Sequence, residues 1–255
     1  MKKNFLKTQS QIDNIKESWK YLTELLQIIY AKIKPWISLI ELEEIAESFI
    51  QENDLKWAFK WYMWYPANLC LSINDCVVHW IPDNYVLKEW DLLKVDCWII
   101  YKKWVTDSAF SVVVWWSKYD KLSSDLIKTT KQALDTSINF LKNDSYFYNF
   151  SKSIQNTVEN KWFKVIKNLT WHWVGTKVHE KPHIFNWAHP ETKKIKILKN
   201  MVLAIEPITC IKSDSVINKD WNKWNLYTLY WDKWAQREYT VVITDNWPEV
   251  VSWIQ

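Results

Sequence analysis

Apolar residues recur at three- and four-residue intervals from Ile12 through Ile15, Leu22, Leu25, Leu26 and Ile29, and the pattern stops at Pro35. That period lays one continuous stripe along a helix face, so a long amphipathic helix is predicted, opened by Ser10 and Asp13 as a capping pair. Beyond a turn at Pro35-Trp36, Leu42, Ile45 and Phe49 mark a second helix. The pattern then becomes strand-like. Short runs at 70–73 and 76–79 and longer ones over 91–101 and 105–114 read as strands, the last two joined through Lys102-Lys103-Trp104 as a hairpin. The second half repeats this order. Leu126, Ala133, Leu134, Ile138 and Leu141 form a long helical stripe, Ile154 and Val158 a shorter one, and strands are predicted near 163–169, 201–205, 226–230 and 239–244. Two successive helices-then-strands units predict an α+β fold of two pseudo-symmetric halves with the site between them, as a single domain over 1–255.

Composition alters this picture at the turns. The chain has 21 tryptophans and one glycine, Gly175, whereas glycine ordinarily supplies roughly 7% of a globular chain, about 18 residues at this length. The tryptophans stand where chains turn: Pro35-Trp36, Asp220-Trp221, Asn246-Trp247 and Asn186-Trp187 occupy the places of Pro-Gly, Asp-Gly and Asn-Gly dipeptides. Some bacterial lineages read UGA as glycine, and a translation table that reads it as tryptophan would write such a gene in this way. The expectation is that most of these tryptophans stand for glycines. A protein that stacks sugars or bases on genuine indoles would instead carry them on exposed strand faces.

With 48% hydrophobic residues over 255 positions, the chain can bury a large core. Its formal charge of +4 is spread as mixed Lys and Asp/Glu, without the basic block that marks nucleic-acid or anionic-membrane binding. The basic amino terminus lacks the apolar stretch of a signal peptide, and no run approaches a membrane span, so a cytoplasmic monomer is expected. Cys70, Cys76, Cys97 and Cys210 show no CxxC spacing and read as reduced thiols. The lysines at 193–199 read as a solvated face, with transient ribosome contact as the partner such a face would serve.

Within apolar β runs stand Asp96, Asp107, Glu206 and Glu238. Buried carboxylates repel one another unless cations lie between them. His172 adds one imidazole, completing an oxygen-rich set suited to two divalent ions, and cobalt, manganese, iron(II) and zinc all remain open as the metal.

The motifs around these residues extend the pattern. With glycine in place of tryptophan, HWVGTKVHE reads HGVGTKVHE, CLSINDCVVHWIP reads CLSINDCVVHGIP, and FKWYMWYPANLC reads FKGYMGYPANLC. From about Ile12 to Ile243 the chain resembles the type I methionine aminopeptidases. The resemblance implies a pita-bread α+β fold, without the extra amino-terminal domain of related proline-specific enzymes. It also implies a dinuclear centre ligated by Asp96, Asp107, His172, Glu206 and Glu238. His79 would bond the scissile amide, His179 the carbonyl oxygen as it gains charge, and Glu206 would shuttle a proton to the leaving amine. Phe59, Tyr62, Tyr65, Cys70, Val178 and Trp224 would line the slot for the methionine side chain, with Trp224 a genuine indole. The implied activity is removal of the initiator methionine from nascent polypeptides, preferring a small second residue. The alternatives are an Xaa-Pro dipeptidase or aminopeptidase, and a non-catalytic peptide-binding module of the same fold. Tyr239, Asn200 and Arg237 depart from the family pattern, Arg237 being expected to alter the pocket rim. His183 and His189 read as structural or solvated. With literal tryptophans, Trp171 and Trp173 are expected to crowd His172, and Trp61 and Trp64 to invade the slot.

Overall fold

The computed structural model describes residues 5–115, 120–219 and 224–251. The first half contains α1 (Gln9–Lys32) and α2 (Leu39–Glu52), then β1 (Lys56–Trp57), β2 (Leu69–Ile73), β3 (Cys76–Val77), β4 (Leu92–Tyr101) and β5 (Trp104–Val113). The second contains α3 (Lys121–Ser137) and α4 (Phe147–Glu159), then β6 (Lys164–Val165), β7 (Thr170–Trp173), β8 (Glu180–Phe185), β9 (Val202–Ile205) and β10 (Ile208–Cys210). It ends with β11 (Val216–Ile217), β12 (Leu226–Thr228), β13 (Trp234–Gln236), β14 (Tyr239–Val242) and β15 (Glu249–Val250). The order of two helices followed by antiparallel strands is thus repeated.

α1 buries the stripe read from the sequence, including Ile12, Ile15, Leu22, Leu25, Leu26 and Ile29. Its cap lies earlier than expected. Thr8, not Ser10, accepts from the Gln11 N–H while the Gln11 side chain returns to the Thr8 N–H, because Thr-x-x-Gln satisfies both orphan donors reciprocally. α2 opens with the same device on Ser38 and Glu41.

In the first half β4 pairs with β5 along its whole length and with β1 and β2 on its other edge. In the second, β15, β14, β9, β7 and β8 form a five-stranded sheet in that order. β5 and the segment from β13 to β14 join the halves: Ser108 Oγ donates to the Glu238 carbonyl at 2.9 Å, the Glu238 N–H to the Ala109 carbonyl at 2.9 Å, and Ser111 Oγ to the Gln236 carbonyl at 2.8 Å. β3 of the first half also pairs with β12 of the second. One continuous structure results, with the two sheets meeting over its centre.

The tryptophans divide by environment. Trp36, Trp61, Trp64, Trp90, Trp115, Trp162 and Trp231 all take positive φ, between 56° and 78°. This region favours glycine and is a genuine outlier for a bulky residue. Each is exposed, in a turn, a bend or the short helix Tyr62–Trp64 rather than on a strand face. Gly175 is not at positive φ. Trp171, Trp173 and Trp234 are completely buried, and the indole N–H groups of Trp171 and Trp173 find no acceptor. The turn expected at Asp220-Trp221 lies outside the described residues.

Candidate metal centre

Each sheet aims acids at the junction. On the first, β4 and β5 pair in the register Asp96 with Ala109 and Trp98 with Asp107, so Asp96 and Asp107 are diagonal neighbours on one face. On the second, Tyr239 opposes Ile205 across β14 and β9, so Glu238 and Glu206 lie side by side just beyond the paired ends. His172, opposite Ala204, comes from β7. Its Nε2 stands 3.6 Å from Asp107 Oδ2 and 3.8 Å from Glu206 Oε1. Asp107, His172 and Glu238 each offer a donor atom within 4.8 Å of the others.

Burial, followed by the charges of Asp96 and Glu206, holds the Asp107 carboxyl well above its ordinary range. Glu206 and Glu238 are raised in the same way, burial first and neighbouring acids next. Burial lifts Asp96 to about 7. Mutual repulsion among four acids is the condition that cations relieve. Asp96 Oδ1 and Glu238 Oε1 are buried without a hydrogen-bond partner, and divalent ions would satisfy both. The chemistry of the set therefore fits hard or borderline divalent cations. His172 fits as well: its Nδ1 donates to the Trp173 carbonyl at 3.1 Å, which leaves the Nε2 lone pair facing the acids.

Thr240 fixes Asp107 from the opposite half, accepting from its N–H at 3.2 Å and donating to its carbonyl at 2.8 Å. Gln236 Nε2 donates to Glu206 Oε2 at 3.0 Å. Glu206 is the more open of the acids beside His172, at 14% side-chain exposure against 1% for Asp107. It forms the floor of a cleft of about 410 Å³ whose walls include Tyr62, His79, His179 and His183.

His79 and His179 both line this cleft. Val78 and His79 both take positive φ, at 50° and 63°, a strained local path that turns the imidazole inward. The His79 ring donates to the Trp224 carbonyl, and burial lowers its pKa to about 4. His179 is also lowered to about 4 by burial, with Tyr62 Oη 2.9 Å from its Nδ1. Both rings are neutral near pH 7. His183, exposed on β8 as its solvated reading expects, also lines this cleft. Its alternation with Lys181 and Phe185 along β8 was the available signal, hidden because that strand carries no apolar pattern.

Phe59, Tyr65, Cys70 and Val178 are buried in one apolar cluster, with Tyr62 and Trp224 packed against it. The structure corrects the reading of the neighbouring indoles. Trp61 and Trp64 do not enter this cluster; they are 58% and 84% exposed, because their positive-φ turn points them outward. Trp98 enters instead, stacked on Phe59 with ring centroids 3.9 Å apart. Alternation with Asp96 along β4 was the signal for it, since residues two apart share a strand face. Trp171 and Trp173 flank His172 on the opposite strand face and pack against Phe147. Arg237 lies over the Tyr239 ring, at 5.1 Å, and along a groove with Tyr30 and Phe110, away from the cleft rim.

A profile of the family described as Metallopeptidase family M24 matches residues 13–245. The chain is similar to the methionine aminopeptidases of Mycoplasma capricolum, 34% identical over 97% of both chains, and of Buchnera aphidicola, 35% identical over 97% of this chain and 94% of that one. Among solved structures it is similar to methionine aminopeptidase from Thermotoga maritima, with a TM-score of 0.91 and 31% identity, covering 97% of this chain and 98% of that one.

Proposed function

This chain belongs to metallopeptidase family M24, and on that premise we propose that the acidic cleft is the catalytic centre of its single domain. The fold is the pita-bread fold, and the activity is metal-dependent hydrolytic removal of amino-terminal methionine. The observation that carries the assignment of the site is the convergence of Asp107, Glu206 and Glu238 from both sheets on His172, with Asp96 beside Asp107 on the same strand face.

Asp96, Asp107, His172, Glu206 and Glu238 would hold two divalent ions, manganese, iron(II), cobalt and zinc all being suited to the donor set. Such ions supply Lewis acidity and bring the pKa of water toward neutrality. His79 and His179, kept neutral by burial, stand beside this charge without repelling it. As neutral donors they orient the scissile amide and stabilise the carbonyl oxygen as it becomes negative. Tyr62 fixes the His179 ring through its hydroxyl. Glu206, open to the cleft and steadied by Gln236, takes a proton from the attacking water and delivers it to the leaving amine.

The reading carries with it action on nascent chains in the cytoplasm, as a monomer with at most transient ribosome contact; no described helix is long and apolar enough to cross a membrane. Chelator-treated protein is tested on a Met-Ala-Ser peptide before and after addition of Mn(II) or Co(II). Methionine release restored by metal, and lost with Asp107→Ala, is expected. Release that persists in Asp107→Ala at the parent rate would refute the assigned centre.

A further inference from the structure

The cleft that holds His79, His179 and Glu206 stops short of the residues that should receive methionine. Its walls include Tyr62 but none of Phe59, Tyr65 or Cys70. Between the cleft and these residues stand His79, whose ring meets Phe59 edge-on at 6.5 Å, and the indole of Trp98. Trp98 is 4% exposed, lies nearly parallel to the Phe59 ring at 19°, and meets Tyr62 and His179 edge-on at 5.5 Å and 5.1 Å. Its N–H bonds the Asp96 carboxylate. The indole therefore bridges the apolar wall and the acidic floor, where a substrate would have to join them.

We propose that the side chain at position 98 sets access to the methionine slot: the Trp98 indole occupies the place of the substrate's thioether side chain, and a turnover-competent protein carries glycine or a comparably small residue there. This rests on the reading of the cleft as an aminopeptidase centre. The reason for a small residue at 98 differs from that at the turns. Trp98 lies within β4 in extended backbone, without positive φ, so nothing in the main chain demands glycine. Space for a ligand does, since a residue without a side chain lets the ligand approach the strand itself. In place of the indole, an unbranched methionine side chain would lie against the Phe59 ring, where its polarizable sulfur gains from aromatic contact.

The test compares Trp98 with Trp98→Gly and Trp98→Ala, in proteins that carry glycine at the seven positive-φ tryptophan positions. Bound Mn(II), affinity for L-methioninamide by calorimetry and cleavage of Met-Ala-Ser are measured on each. Trp98→Gly is expected to bind L-methioninamide at least about 100-fold more tightly than the Trp98 protein, within the range that filling or emptying an apolar pocket commands. Trp98→Ala should follow closely while keeping a Cβ in the strand, so a glycine-specific loss of folding does not decide the result. Equal affinity, within threefold, in the Trp98 and Trp98→Ala proteins with equal Mn(II) content would overturn the proposal. Tighter binding without any peptide cleavage would support the slot and sink the peptidase reading of the centre. Neither binding nor cleavage in the small-residue variants would overturn both.

Discussion

A tryptophan at φ 72° or 78°, as at Trp61 and Trp36, holds its Cβ against the following carbonyl, a conformation that costs roughly 1–2 kcal/mol per residue. Seven such sites occur among the described residues, all exposed, so no burial of the indole offsets the strain. Asn200, at φ 67°, shows the ordinary solution for a non-glycine residue, since asparagine tolerates this region. UGA codons are therefore expected at the seven tryptophans, and sequencing UGG there would end the recoding explanation. Trp36→Gly and Trp162→Gly should each stabilise the protein by on the order of 1 kcal/mol in denaturant melts, unlike substitutions at unstrained surface sites. In the cleft, Tyr62→Phe removes one hydrogen bond from the half-buried His179 imidazole. A loss of roughly 1 kcal/mol of orientation should lower kcat about fivefold with KM little changed. A variant with parental kcat would show that Tyr62 does not hold His179.

The elements explain which parts of the site were legible. β4 and β5 are ten residues each, buried over all but two positions in each, and are read nearly to their ends together with Asp96 and Asp107. Glu206 and Glu238 follow or precede strands of four residues and were recognised as acids interrupting apolar runs. β7, β8, β10 and β13 escape notice because three to six residues, most of them interrupted by tryptophan, proline or charge, carry too little period to register. Their loss concealed the junction between the halves, which no local pattern encodes. Thr240 is the clearest case: an unremarked threonine in a short strand, it makes two hydrogen bonds to the backbone of Asp107 in the other half. Thr240→Val keeps the shape and removes both. A loss of roughly 1–3 kcal/mol in stability is expected from the unsatisfied buried groups. Metal affinity should fall about 10- to 100-fold, as for other partners that orient a ligand, and titration of the chelator-treated variant with Mn(II) measures it. Unchanged affinity would confine Thr240 to folding alone.

For the molecule as a whole, four acids gathered from two halves tie stability to pH and metal together. Burial raises Asp96 from 3.8 to about 7. Burial and neighbouring acids raise Asp107, Glu206 and Glu238 well above their ordinary values. A carboxyl whose pKa is higher in the folded than in the unfolded state contributes its stability at low pH and loses it as pH rises through the folded value. For Asp96 that loss runs from about pH 4 to about pH 7. Divalent ions act in the opposite sense, because they bind the ionised acids and compete with protons. A ligand that binds only the folded state adds stability as RT ln(1 + [L]/Kd), about 4 kcal/mol at a thousandfold excess over Kd. The rise in Tm on adding Mn(II) to chelator-treated protein should therefore be small at pH 5 and grow toward pH 7.5. Glu238→Gln removes one of the repelling charges, so the metal-free variant should lose less stability between those pH values while gaining less from Mn(II). Calorimetric melts at both pH values separate the two effects. A metal-induced rise that is equal at pH 5 and 7.5, or larger at pH 5, would mean that these acids do not hold the cations and that the halves meet for some other reason.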